Sequence, residues 1–295
     1  MGTLGRWAIA VTLLTGVARP DDARMKPFVL AYRTGGDLDQ AAAEVKAKLT
    51  SAGFESAGSY APYENALVLV VTSPELKAAA AKAKFSGYAA GQRVTLTRVG
   101  SEIQVAYTNP LYMQHAYRMK ADLEPVSRKL EAALGRVEEY GPPEGKTAAE
   151  LRSYHYMVGM EYFDEPTLLG RFDSHYNAVK AVESGLAAGK GGTKLVYAID
   201  IPQTSETVFG VALSEGCSGD AHIMKEIDFK PLRSTGHLPY EILVSGPDVL
   251  ALYARFRIAI NFPDLKMMGA NSFMNIRCAP GAIEEALKKV VAPSP

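Results

Sequence analysis

Apolar positions along the chain alternate between helical and strand spacing in an order that occurs twice. In the first half a short apolar run at 28–32 precedes residues 37–52, where Ala41, Val45, Lys48 and Leu49 fall at helical spacing and Gly53 follows. This predicts a strand and then an amphipathic helix with a glycine stop. In the second half the run 156–162 precedes 174–188, with Ala178, Val179, Val182 and Leu186 as the apolar stripe and Gly189 at its end. Strand-like pieces rich in β-branched residues come next in each half, at 55–60 and 66–71 and again at 194–201 and 207–213. Short helices are expected at 74–84 behind Ser73 and at 219–228 behind Ser218, serine being a good N-cap. Hairpins at 93–108 and 240–260 lead to Asn109-Pro110 and to Asn261-Phe262-Pro263, which puts the strings VAYTNP and IAINFP in matching places. Final helices are expected at 124–134 and 281–291.

The fold class that follows is α+β, with two tandem β-α-β-β-α-β-β-α units, antiparallel-rich sheets and helices packed on them. The units span 25–137 and 153–295, and the stretch 138–152, with Pro142 and Pro143, reads as a linker. Tandem copies are expected to pack as an internal pseudo-dimer, and a homo-oligomer is the other arrangement such units favour.

The first 24 residues change the picture of where the protein works. Arg6 precedes the apolar segment 7–18, and Arg19, Pro20, Asp21 and Asp22 follow it, the shape of a signal peptide cut after Ala18 and succeeded by a short tail. About a dozen residues make a helix of about 18 Å, well short of a hydrocarbon core of roughly 30 Å. A periplasmic or secreted protein is therefore expected. With 32 basic and 32 acidic residues the formal net charge is zero, which removes the electrostatic footprint of a nucleic-acid binder.

Candidate chemistry is sparse. There is no GxSxG elbow, and the glycine-rich 189–193 lacks P-loop spacing and follows a helix, so an enzyme acting on a small molecule ranks third among the functional readings. Cys217 and Cys278 belong to no CxxC pair, and an exported chain accommodates them either as one disulfide or as two buried thiols. His222 and His237 read as surface histidines near a structural cysteine; the alternative is that Cys217, five residues before His222, makes a soft-metal site or a reactive thiol with histidine, although the ligand spacing matches no standard zinc pattern. Soft-metal ligands are the second reading. His155 and Met157 would share one strand face and suit copper, or a haem-linked redox accessory role. Met113, His115 and Met119 form one further group, and Met267, Met268 and Met274 another, although methionine serves core packing equally well. The first reading is a non-enzymatic binding or accessory protein without a cofactor, contacting a small ligand or a periplasmic or membrane-complex protein between its units. Its contact surface is sought at Tyr112, Met113, His115 and Tyr117, where aromatic, sulfur and imidazole groups concentrate.

The N-terminal strand, the helix ending KLTSAGF (Lys48 to Phe54), the apolar strand, the hairpin, and the Asn-Pro followed by Met113 and a closing helix together resemble the bacterial domain-of-unknown-function family 302. The likeness covers most of the first unit and is weaker in the second, which has an extra residue between Asn261 and Pro263. The resemblance implies an α+β fold with a tendency to dimerise, and no reaction.

Overall fold

A computed structural model describes residues 23–157 and 159–293; the expected signal segment lies outside them. The first half runs β1 (Phe28–Thr34), α1 (Leu38–Ser51), β2 (Glu55–Tyr60), β3 (Ala66–Thr72), α2 (Pro74–Ala80), β4 (Gln92–Val99), β5 (Glu102–Thr108), α3 (Pro110–Ala116) and α4 (Glu124–Leu134). After β6 (Glu138–Tyr140) and α5 (Ala148–Arg152), the second half runs β7 (Thr167–Arg171), α6 (His175–Ala187), β8 (Thr193–Ile201), β9 (Glu206–Leu213), α7 (Asp220–Ile227), β10 (Tyr240–Ser245), β11 (Asp248–Ala251), α8 (Ala254–Asn261) and α9 (Ala279–Val291). Two antiparallel sheets with helices packed on them make this an α+β protein.

Local chemistry sets the helix starts. Asp37 accepts from the backbone N–H groups of Asp39 and Gln40 at 2.9 and 3.0 Å and opens α1, whose buried face is Ala41, Ala42, Val45 and Leu49. Ser174 accepts from Asn177 N at 3.2 Å and opens α6, while a Cβ at Gly185 would overlap the Val290 carbonyl, so α6 and α9 touch backbone to backbone.

The first sheet has the order β2-β3-β4-β5-β1-β6 and the second β7-β11-β10-β9-β8. Numbered within each half, both read second, third, fourth, fifth, first. Register carries the same correspondence, since Val70 pairs with Arg93 as Gly210 pairs with Glu241. So do the irregularities: β2 shifts register between Ser56 and Gly58, and β8 between Leu195 and Tyr197.

Three expected elements differ. The second half's first strand is β7, not 156–162, where Gly159 at φ +81° breaks extended backbone. The string IAINFP lies at the end of α8 rather than in a strand; every α8 residue except Arg255 is buried, so no polar stripe marked it as a helix. The expected linker contributes β6, paired antiparallel to β1 between Phe28–Tyr140 and Leu30–Glu138.

The β4 sequence alternates apolar and polar side chains, and both faces are covered. Val94 and Leu96 join the core beneath α1 and α4, whereas Arg93, Thr95 and Thr97, on the other face, are 2%, 2% and 4% exposed. That polar face meets the second sheet, where Leu243 belongs to the first half's core while its strand neighbours Ile242 and Val244 belong to the second's. At the edge of the contact a Cβ on Gly58 would overlap the Val196 carbonyl oxygen, so only glycine lets β2 approach β8 this closely.

Candidate functional site

The interface between the sheets is a buried polar seam that opens at one side into a groove. Deepest in the seam, Glu241 of β10 accepts from Arg93 of β4 and from Arg257 of α8, each at 2.5 Å, and from the Tyr197 hydroxyl at 2.7 Å. All four side chains are almost wholly buried. A lone carboxylate or guanidinium there would be very costly to desolvate, and the pairing is what offsets the cost. Arg257 also donates to the backbone oxygens of His237 and Pro239. His237 is fully buried, with its ring edge-on to Tyr240 at 5.4 Å between centroids. Burial, reinforced by the Arg257 and Arg93 charges, holds its pKa well below the ordinary histidine value, so the ring is neutral.

Towards solvent the seam continues through Thr235, whose hydroxyl sits 2.7 Å from both the Thr97 and the Tyr63 hydroxyls. The strap carrying it lies across the first sheet: Gln104 donates to the Pro231 carbonyl at 2.7 Å and accepts from Arg233 N at 3.0 Å, and Tyr140 donates to the Arg233 carbonyl at 2.7 Å. Above the strap is an open groove whose walls come from both halves. Tyr63, Glu64, Thr97 and Arg98 line one wall, and Met224, Lys225, Asp228, Phe229 and Arg233 line the other. A second depression of about 720 Å³ adjoins it along α7 and reaches Tyr60, Asp220 and His222.

Two carboxyl groups at the ends of α7 set the groove's electrostatics. Asp228 accepts from Ser234 N at 2.9 Å through Oδ1, and its Oδ2 is buried without a hydrogen-bond partner. Asp220 accepts from the Tyr60 hydroxyl at 3.0 Å and from Leu213 N at 3.3 Å through Oδ2, while its Oδ1 is likewise unsatisfied. Burial pushes each pKa up to about 7, against the opposing pull of these hydrogen bonds and of nearby Arg257 for Asp220, and of Arg233 and Lys230 for Asp228. Near neutral pH each therefore carries its proton about half the time. On the groove's surface Phe229 is 52% exposed, an unusual position for a large aromatic. Lys225 is exposed too, and the Arg98 guanidinium donates to the Gly36 carbonyl at 2.8 Å. Asp228, the aromatic face of Phe229 and the cationic side chains of Lys225 and Arg98 thus line one concavity.

The residues singled out in the sequence fall elsewhere. Tyr112, Met113 and Tyr117 are buried in the first half's core. Tyr112 donates to the Ile260 carbonyl at 2.7 Å, so this segment contacts the protein's own second half. His115, on the same helix, is half-buried. His155 and Met157 are not on a strand: the His155 ring packs on Tyr162 at 4.6 Å, and Met157 is 47% exposed. Met160 and Met267 come together with Tyr156 and Phe273 in a small apolar pocket against α8. Cys217 and Cys278 are joined in a disulfide. His237 is a core residue rather than a surface one, and nothing local in its sequence signalled this. Asp220 and Asp228 were missed because a carboxylate at either end of a short helix reads as solvated charge. Comparison with family models, curated proteins and solved structures finds no match.

Proposed function

We propose that the protein is a non-enzymatic binding protein whose ligand occupies the groove between its two halves. The observation that carries this reading is Asp228 Oδ2, a buried acceptor left without a partner in the wall of a groove that both halves build. A ligand donor, an amine or a hydroxyl, would satisfy it. An aromatic or apolar portion would cover Phe229, and a carboxylate would reach Lys225 and Arg98. Small amphoteric compounds such as amino acids and aromatic hydroxy acids meet all three requirements.

Duplication of one α+β unit is part of the reading, supported by the shared strand order and by the position of Arg93 and Glu241, each the second residue of its half's fourth strand. In a homodimer of identical units that position would face a copy of itself across the two-fold axis, and like charges would meet. In one chain the two positions are free to become an ion pair, which suits an internal pseudo-dimer. Kinship of the unit with family 302 rests on the order of elements in each half. An extracytoplasmic location is supported by the apolar N-terminal segment together with the disulfide. A carboxyl titrating near pH 7 also suits acid–base chemistry, but no nucleophile–base pair accompanies Asp228 among the described residues, so the enzymatic reading stays subordinate. His155 and Met157 remain the copper reading's residues, without support from a shared strand face.

The test is calorimetric titration of the purified protein with a panel of free amino acids, aromatic amines and aromatic hydroxy acids. Saturable 1:1 binding that is lost in both Asp228→Asn and Phe229→Ala is the expected result. Absence of binding across the panel, or binding unaffected by both substitutions, overturns the reading.

A further inference from the structure

Apart from the groove's acids, one cluster of reactive side chains stands at the meeting of α7 and α9. Cys217 lies in the turn Gly216–Ser218 just before α7, and Cys278 is the N-cap residue of α9. The disulfide between them ties the two helix starts together. His222, in the first turn of α7, projects to the same place: one of its ring nitrogens and the two Sγ atoms all lie within 4.8 Å of one another. Cys278 and His222 are exposed and Cys217 is half-buried, so reductants and ions have access.

We propose that Cys217, Cys278 and His222 form a redox-gated site for Zn²⁺, closed while the disulfide is intact and assembled when a dithiol reduces it. This does not depend on the groove's ligand. In the opening step a thiolate of the dithiol attacks one sulfur of the Cys217–Cys278 bond and displaces the other. The second thiol of the reductant then resolves the mixed disulfide, leaving two cysteine thiols and one oxidised dithiol, a transfer of two electrons and two protons. Zn²⁺ binding next releases two thiol protons to solvent, and neutral His222 supplies a lone pair.

Two thiolates and an imidazole are a ligand set that Zn²⁺ prefers, with water in the fourth position as the exposure of the site allows. In a tetrahedron with Zn–S bonds of about 2.3 Å, the sulfurs stand about 3.8 Å apart. The Cα atoms are 5.8 Å apart, so rotation of the two side chains reaches that spacing with the helices in place. The positive end of α9, a helix of 13 residues, favours negative charge on Cys278 both as leaving sulfur and as ligand. Reduction opens a link between residues 61 apart in sequence and so frees the unfolded chain; metal recloses it.

The experiment takes the purified chain, oxidised or reduced with a phosphine under anaerobic conditions, and titrates it with Co²⁺ as a spectroscopic probe, followed by Zn²⁺ competition. Circular dichroism is recorded on the same samples. Expected is one equivalent of Co²⁺ with thiolate-to-cobalt charge-transfer absorption in the reduced protein only, displaced by Zn²⁺. Cys278→Ser should abolish that absorption, and His222→Ala should weaken Zn²⁺ binding at least about tenfold, the loss that even outer-shell partners of a metal cause. Equal uptake by oxidised and reduced protein, no uptake by folded reduced protein, or an unchanged affinity in His222→Ala overturns the proposal. So does a reduced chain that loses its fold and does not regain it with Zn²⁺.

Discussion

Replacing Asp228 by asparagine should make the protein more stable at pH 8, although it removes a native hydrogen-bonding carboxylate. The carboxyl is pushed from an ordinary value of 3.8 to about 7 by burial. The native state therefore holds a proton that the unfolded chain gives up through the interval from pH 4 to 7. Stability falls as pH rises wherever the native state binds more protons, so this group's cost is absent below pH 4, grows across that interval, and is constant above it. About three pH units at 1.36 kcal/mol each come to about 4 kcal/mol, of which about 3 kcal/mol falls between pH 5 and 8. Asparagine keeps the Oδ1 acceptor for Ser234 N and cannot ionise, so it stays near the protonated state's stability at every pH. Urea unfolding of wild type and Asp228→Asn at pH 5 and pH 8 reads the effect directly. Over this interval Asp228 and Asp220 lower wild-type stability while buried neutral His237 raises it, so the test is the difference: the variant should lose about 3 kcal/mol less than the wild type. Parallel pH profiles, or a variant less stable than wild type at pH 8, would refute the reasoning, because either means that Asp228 is not a buried, reluctant anion.

Further substitutions probe the seam and the groove separately. Glu241→Gln leaves Arg93 and Arg257 as buried cations without a counter-charge and should cost about 3–5 kcal/mol in urea unfolding; a loss under about 1 kcal/mol would mean that water reaches the triad. Gly58→Ala forces β2 away from the Val196 carbonyl, with an expected cost of about 1–3 kcal/mol and a lower thermal midpoint, and an unchanged midpoint would show that the two edges part easily. Phe229→Ala, at an exposed position, should move stability by no more than about 0.5 kcal/mol, which leaves any loss of ligand binding attributable to the groove.

How much of this was legible without coordinates follows from which interactions are local. Ser73 caps α2 as expected and α4 spans Glu124–Leu134 as its periodicity indicated, because capping and amphipathic spacing act within a few residues; Ser218 does not cap α7, whose N-cap is Gly219. α8 was misread because a helix buried on all sides has no polar stripe to give its period away. The alternation in β4 was correctly a strand signal, yet it implied a solvated polar face, and only the packing of one sheet on the other buried Arg93, Thr95 and Thr97 and gave Arg93 and Thr97 partners more than a hundred positions away. The site depends on such partners entirely. Whether Asp228 is a solvated charge or a half-protonated acid is decided by how much water the opposite half of the chain excludes, a long-range quantity that no local pattern encodes. The sequence alone thus determined the α+β class and the elements whose signals are local; the tertiary structure alone decided β6, β7 and α8 and which polar groups lost their water.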